Sequence, residues 1–302
     1  MTTNSAGFPA APEVLRYTAF ATDPAGGNPA GVVPDAAGLD DAAMLAIAAE
    51  LGYSETAFLT PGVGGTGAPG SSERSYSVRY FSPKAEVPFC GHATVASAVA
   101  LAERDGAGPG DYVFATRAGT VPVTVAEADG VLRATLTSVA PRIEEAAPDD
   151  VTEALGALGW APGELDAALP PRIAFAGARH LVLAAATRAR LADLSYDFTR
   201  LEALMRRLDL TTLQLVWRSG EFDFHVRDPF PVGGVVEDPA TGAAAAAFGA
   251  YARDLALVPA DAVLTLHQGE DMGRPGVLTV TLRDGDARVR VSGAAVRIPP
   301  GA

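Results

Sequence analysis

The stretch EVPFCGHATVASAVALAERDG, Glu86 to Gly106, decides the fold. It sets Pro88, Gly91 and His92 at the mouth of an Ala-rich run of helical character. Far downstream the chain repeats the device in EDPATGAAAAAFGAYARD, Glu237 to Asp254, where Glu237, Pro239 and Gly242 align with Glu86, Pro88 and Gly91 at a constant offset of 151. The flanks agree as well: Arg79-Tyr-Phe-Ser-Pro83 precedes the first entrance and Arg227-Asp-Pro-Phe-Pro231 the second. A short match alone is within reach of chance, and Ala-rich helices align easily. Matching flanks and a following helix of similar length predict an internal duplication.

Hydrophobic periodicity and turn residues extend the repeat outward. Alternation predicts a strand over residues 14–20, and GGNPAGVV leads through a turn into a second. Residues 40–51 have helical spacing, with Leu39, Met44, Ile47 and Leu51 on one side and Gly52 as the stop. Strands follow at 55–59 and 76–81, then the helix from about 92 to 104, then strands at 112–116, 121–126 and 132–138. Residues 140–150, rich in Pro, Ala and acids, read as a linker. The order then recurs: a helix at 152–158, strands at 173–175 and 181–184, a helix at 198–208, and strands at 212–216 and 222–226. The second entrance and its helix follow, and strands at 263–267, 276–282 and 287–292 close the chain. The halves are residues 13–139 and 140–286, with 1–12 a flexible tail.

A chain of 302 residues is long enough for about two domains. The formal net charge is −13 with only 23 Lys and Arg, and no basic run suits a phosphate backbone, which argues against a nucleic-acid partner. A single cysteine, Cys90, excludes an intrachain disulfide and suits a reducing compartment. The N-terminus lacks a basic segment followed by an apolar one, and the longest apolar runs are too short to span a bilayer. A cytoplasmic protein with no membrane partner is expected.

A helix start offers unpaired backbone N–H groups and a partial positive charge, and glycine there lets a ligand come close. Such an entrance seats a carboxylate or a developing oxyanion; the plainer alternative is that Pro and Gly end a strand and begin a helix. If a pseudo-twofold axis relates the halves, both entrances face one cleft. Their polar residues differ: Cys90 and His92 at the first, Asp238 and Thr241 at the second, with Ala243 where a histidine would lie. Other signals point nowhere. Gly62-Val-Gly-Gly-Thr-Gly67 is followed by a strand pattern, not the helix a dinucleotide site needs. The four histidines show no metal-ligand spacing, so no metal is expected. No GxSxG elbow occurs.

Five segments in order, GNPAGVV, SETAF (54–58), RYFSPKAEVPFCGHAT, EDPATGAA and QGEDMGRPG (268–276), resemble the phenazine-biosynthesis isomerase family, often called PhzF-like. The resemblance implies an α/β (α+β roll) fold of the diaminopimelate-epimerase type: two pseudo-twofold-related halves, each a curved, mostly antiparallel sheet wrapped around a central helix. It further implies that a last strand, about 287–298, returns to the first half. It implies a homodimer working without metal or organic cofactor, in phenazine biosynthesis or other secondary metabolism. The family's type reaction moves a proton between carbons of trans-2,3-dihydro-3-hydroxyanthranilate, a small carboxylate-bearing metabolite. By resemblance Glu55 is the proton shuttle, His92 and Asp238 bind and orient the substrate, and Gly91 and Gly242 supply backbone donors. The family usually carries serine where this chain has Ala243 and Gly276, which bears on which substrate is taken.

The residue types fit such chemistry. Moving a proton along carbon needs a base that becomes an acid within one turnover, and glutamate does both in a partly apolar setting. Tyr53, Ala57 and Phe58 flank Glu55; the alternative is a solvated carboxylate at a strand start. His92 is open to an ordinary helix-start role, and Asp238 to a turn role before Pro239. The family's distant relatives, amino-acid epimerases and proline racemases, use two facing cysteines. Here Thr241 stands at the second position, leaving a one-thiol epimerase or dehydratase using Cys90 as the second enzymatic reading. A buried small hydrophobe is the plain reading of Cys90. A third reading is a non-catalytic binding protein on the same fold.

Overall fold

A computed structural model describes residues 12–62, 74–104, 106, 108–299 and 301. The expected tail, apart from Pro12, and Val63–Gly67 of the glycine-rich loop lie outside these. The first half runs β1 (Leu15–Ala19), β2 (Asn28–Val33), α1 (Asp41–Leu51), β3 (Glu55–Pro61), β4 (Arg74–Phe81), β5 (Glu86–Val87), α2 (Gly91–Arg104), β6 (Gly110–Thr116), β7 (Gly119–Ala128) and β8 (Val131–Thr137). The second runs β9 (Arg142–Glu145), α3 (Pro148–Leu158), β10 (Arg172–Phe175), β11 (Arg179–Ala184), α4 (Arg188–Ala192), α5 (Phe198–Leu208), β12 (Thr212–Arg218), β13 (Asp223–Pro229), β14 (Glu237–Asp238), α6 (Gly242–Asp254), β15 (Ala262–Gln268), β16 (Gly276–Arg283) and β17 (Asp286–Arg297).

The duplication holds strand by strand. β1–β2 is antiparallel, β2–β3 parallel, β3–β4 and β4–β5 antiparallel, β4–β6 parallel, and β6–β7 and β7–β8 antiparallel. β10–β11 is antiparallel, β11–β12 parallel, β12–β13 and β13–β14 antiparallel, β13–β15 parallel, and β15–β16 and β16–β17 antiparallel. Even the outer edge repeats: β1 takes β17 and β10 takes β9, both antiparallel. β17 pairs with β16, then with β8 through Arg290–Ala294, then with β1 through Ala295–Arg297. The first sheet is thereby closed into a ring around α2. β9 falls within the stretch read as linker; its short, charged Arg-Ile-Glu-Glu run carries little alternation to betray a strand.

Each sheet wraps one helix. In α2 every residue from His92 to Ala102 is buried, and in α6 every residue from Ala244 to Ala252. A helix enclosed on all sides is apolar all round, and small side chains let the strands come close. At Gly249 a Cβ would stand 2.5 Å from Val280 Cγ1, nearer than two carbons pack, so a side chain at this turn of α6 would force the sheet's side chains aside. α3 and α5 cover the outer face of the second sheet through Leu155, Leu158, Leu201 and Met205. α1 does the same for the first sheet, capped by the Asp40 side chain accepting from Ala43 N at 2.8 Å and stopped by Gly52 at φ +69°.

Candidate active site

Both helix entrances are built alike. β5 turns back on β4, pairing Phe81 with Glu86, and β14 turns back on β13, pairing Pro229 with Glu237. A bidentate Arg–Glu clasp secures each turn. Arg79 donates to Glu86 Oε1 and Oε2 at 2.8 and 2.6 Å, and Arg227 to Glu237 Oε1 and Oε2 at 2.9 and 2.5 Å. This planar fork-to-fork pairing fixes orientation as well as distance. The turns deliver Gly91 and Gly242 face to face: a Cβ on Gly91 would lie 4.0 Å from Gly242 Cα. The first helical bonds are Thr94 N to Cys90 O and Ala245 N to Thr241 O. The N–H groups of Gly91, His92, Gly242 and Ala243 therefore stand ahead of both ladders.

Around this meeting point the structure gathers Glu55, Cys90, His92 and Asp238. Asn28 at the start of β2 joins the halves. Its Nδ2 donates to Asp238 Oδ1 at 2.9 Å and to Ala240 O at 3.1 Å, and lies 3.2 Å from His92 Nδ1. Two oxygen acceptors identify that atom as the amide nitrogen and take both of its hydrogens. Nε2 faces Glu55 Oε2 at 3.5 Å and Ser54 Oγ at 3.4 Å. Glu55, at the start of β3, is held beside β2 by the Ala30–Glu55 register. Asp238 Oδ2 accepts from Thr241 Oγ1 at 2.6 Å.

Burial governs the electrostatics. It raises Asp238 to about 6, with Glu55 adding to the rise while His92, Thr241 and Asn28 oppose it. Burial, then the neighbouring Glu55 charge, pushes the Cys90 thiol well above its ordinary value. Cys90 Sγ sits 3.6 Å from Glu55 Oε2 and 3.4 Å from His92 Nδ1, yet this setting favours the thiol over the nucleophilic thiolate. Glu55, Cys90 and His92 also come close enough to share a metal ion. An ion there would have to displace the thiol proton that burial and the Glu55 charge hold in place, and compete with Asn28 and Cys90 for His92 Nδ1.

Thus Glu55, His92, Asp238, Gly91, Gly242, Ala243 and Cys90, picked out in the sequence, converge on one place. Asn28, Ser54 and Gln268 join them with no signal of their own in the sequence. Asn28 reads as a turn residue in Gly-Gly-Asn-Pro, and its partner Asp238 lies 210 residues away. Gln268 was visible only as part of the last family-like segment.

The model of the PhzC-PhzF family, phenazine biosynthesis-like proteins, matches residues 17–301. The chain belongs to this family. The uncharacterized isomerase YddE of Escherichia coli strain K12 is 33% identical over 94% of this chain and 96% of its own. A PhzF-family phenazine biosynthesis protein of Bacillus anthracis superposes with a TM-score of 0.81 at 25% identity, covering 95% of this chain and 98% of that one. A hydroxyproline epimerase of Agrobacterium vitis, at 12% identity and a TM-score of 0.62 over 94% and 90% of the two chains, shares the fold. With isomerases for relatives, this PhzF-like chain is an enzyme of the isomerase class. No described helix is long and apolar enough to cross a membrane.

Proposed function

We propose that this PhzF-like isomerase moves a proton between carbons of a small carboxylate-bearing metabolite of the trans-2,3-dihydro-3-hydroxyanthranilate type, without metal or organic cofactor. The observation that carries the reading is the face-to-face meeting of the two entrances, with Glu55, His92 and Asp238 around it. The N–H groups of Gly91 and Gly242, joined by that of Ala243, hold the substrate carboxylate at two helix starts. Glu55 takes the proton from one carbon and returns it to the next. His92 and Asp238 orient the substrate hydroxyl and amine. Ala243 and Gly276 lack the hydroxyls usual in the family, so the pocket suits a substrate needing fewer polar contacts there. The cytoplasm and a homodimer are the setting in which we place it, with phenazine or another secondary pathway as its context. Proton NMR in D₂O with trans-2,3-dihydro-3-hydroxyanthranilate tests the substrate: the reading expects a rearranged double bond, with hydrogen at the newly protonated carbon where transfer is direct and deuterium where the Glu55 proton exchanges with solvent first. Unchanged substrate after prolonged incubation with folded protein would reject this substrate type.

The proximity of Cys90 Sγ to Glu55 supports a second reading, an epimerase or dehydratase that uses the thiol. The upward push on that thiol weighs against it. A full-activity Cys90→Ala variant would remove it.

A further inference from the structure

Behind Asp238 lies a second carboxyl that the proposed reaction does not use. Asp228 on β13 stands opposite Asp238 on β14 and is fully buried. In the first half the corresponding position, one after the clasp arginine, is Tyr80, whose hydroxyl meets Thr94 Oγ1 at 2.6 Å. The second half thus sets an acid where its twin buries a neutral phenol. The charged groups acting on Asp228 are Asp238 and Glu237, both acidic, and Glu237 is already clasped by Arg227. Among the described residues Asp228 Oδ1 has no hydrogen-bond partner. An ionised carboxylate in that place would be uncompensated; a neutral acid leaves one carbonyl-like oxygen unpaired, a much smaller cost.

Hydrogen counting agrees. Gln268 Nε2 faces three acceptors: Asp228 Oδ2 at 2.9 Å, Asp238 O at 2.8 Å and Thr241 Oγ1 at 3.0 Å. Its Oε1 accepts from Thr241 N at 2.9 Å. An amide has two hydrogens for these three acceptors. Thr241 spends its own hydrogen on Asp238 Oδ2, and its side chain also meets Asp228. A proton on Asp228 supplies the missing donor.

We propose that Gln268 and Asp228 are positioning residues for Asp238: Asp228 acts as a neutral acid, and through Gln268 and Thr241 it fixes the Asp238 carboxylate beside His92, leaving one charge for the ligand's amine or hydroxyl. The inference rests on the binding role given above to Asp238. Asp238 is faced by His92 from α2, Cys90 just ahead of that helix, Glu55 from β3 and Asp228 from β13, with Glu237 its neighbour on β14, and these groups stay in place in the variants below unless named.

Carbon-13 NMR of the full chain labelled at aspartate carboxyls reads the idea without any substrate. Between about pH 4 and pH 9, which spans the ordinary carboxylate range and beyond, the resonance lost in Asp228→Asn should stay in its protonated position past neutrality. The Asp238 resonance should titrate near 6, and in Gln268→Leu its midpoint should move up. Gln268→Glu keeps the side-chain shape but loses the donors, and should move it the same way. An Asp228 carbon titrating as an ordinary carboxylate, or an Asp238 midpoint unmoved in both Gln268 variants, overturns the proposal. With any substrate the enzyme turns over, Gln268→Leu and Asp228→Ala should raise KM at least tenfold with a smaller change in kcat, and Asp228→Asn should recover most of that loss. Equal losses in Asp228→Asn and Asp228→Ala would overturn it too. Failure on trans-2,3-dihydro-3-hydroxyanthranilate alone counts against the proposed function and leaves the NMR result to decide this one.

Discussion

The duplicated clasps give a prediction in which one motif has two different costs. In the second half Arg227 and Glu237 are both buried, their side chains 10% and 3% exposed, and Arg227 also donates to Ala192 O at 2.7 Å. Arg227→Met leaves Glu237 buried without its fork, a situation that costs about 3–5 kcal/mol. In the first half Arg79 is 28% exposed, and Glu86 keeps a second cation, Arg117, at 3.0 Å. Arg79→Met therefore removes one exposed partner of a screened cluster, at about 1 kcal/mol. At roughly 2 °C per kcal/mol for a chain of this size, the melting temperature should fall by about 6–10 °C in the first variant and about 2 °C in the second. Circular dichroism melts of both variants near pH 7.5, in one buffer, make the comparison. A double variant, Arg227→Met with Glu237→Leu, should recover much of the loss by replacing the pair with apolar volume. Equal costs for Arg79→Met and Arg227→Met, or no recovery in the double variant, would refute the argument that burial rather than motif sets the energy.

Asp238, raised in the folded state to about 6 from its ordinary value of 3.8, binds more protons folded than unfolded between those values. It therefore lowers stability as pH rises through about 4 to 6. Asp238→Asn should gain stability relative to wild type at pH 8 over pH 4, and a difference that is flat with pH in paired urea titrations would contradict this. Cys90, pushed upward by burial and Glu55, should react with iodoacetamide more slowly than a free thiol at neutral pH and speed up only in alkali; rapid alkylation of native protein would contradict it. Gly91→Ala places a Cβ in the gap, 4.0 Å from Gly242 Cα and 3.9 Å from Leu136 Cδ1. That is ordinary contact, so the fold should hold while substrate affinity falls at least tenfold; unchanged KM would show that the carboxylate does not bind there.

Much of this architecture is written in punctuation. Gly, Pro and runs of alanine mark both enclosed helices and both entrances, because a helix wrapped by a tight sheet tolerates little else. The parallel and antiparallel alternation could not be read, since pairing lies in contacts between distant segments. β9 and α4 were missed for lack of length: four charged-edge residues and five residues give no period to detect. The site was legible residue by residue, yet its wiring was not. Asn28 touches both halves, and Gln268 holds Asp228, Asp238 and Thr241 together, and neither role leaves a local signature. Asp228 looked like part of a flank, because burial and an absent cation cannot be seen in Arg-Asp-Pro.

The central claim is that Glu55 carries the proton while the entrances only hold the substrate. The most direct test is turnover of trans-2,3-dihydro-3-hydroxyanthranilate by wild type, Glu55→Gln and Cys90→Ala, followed by proton NMR in D₂O. The account predicts conversion by wild type and by Cys90→Ala, and a loss of at least a thousandfold in Glu55→Gln, within the range a positioned acid–base group supplies. Conversion by Glu55→Gln at the wild-type rate, with Cys90→Ala inactive, would contradict it and transfer the proton to the thiol.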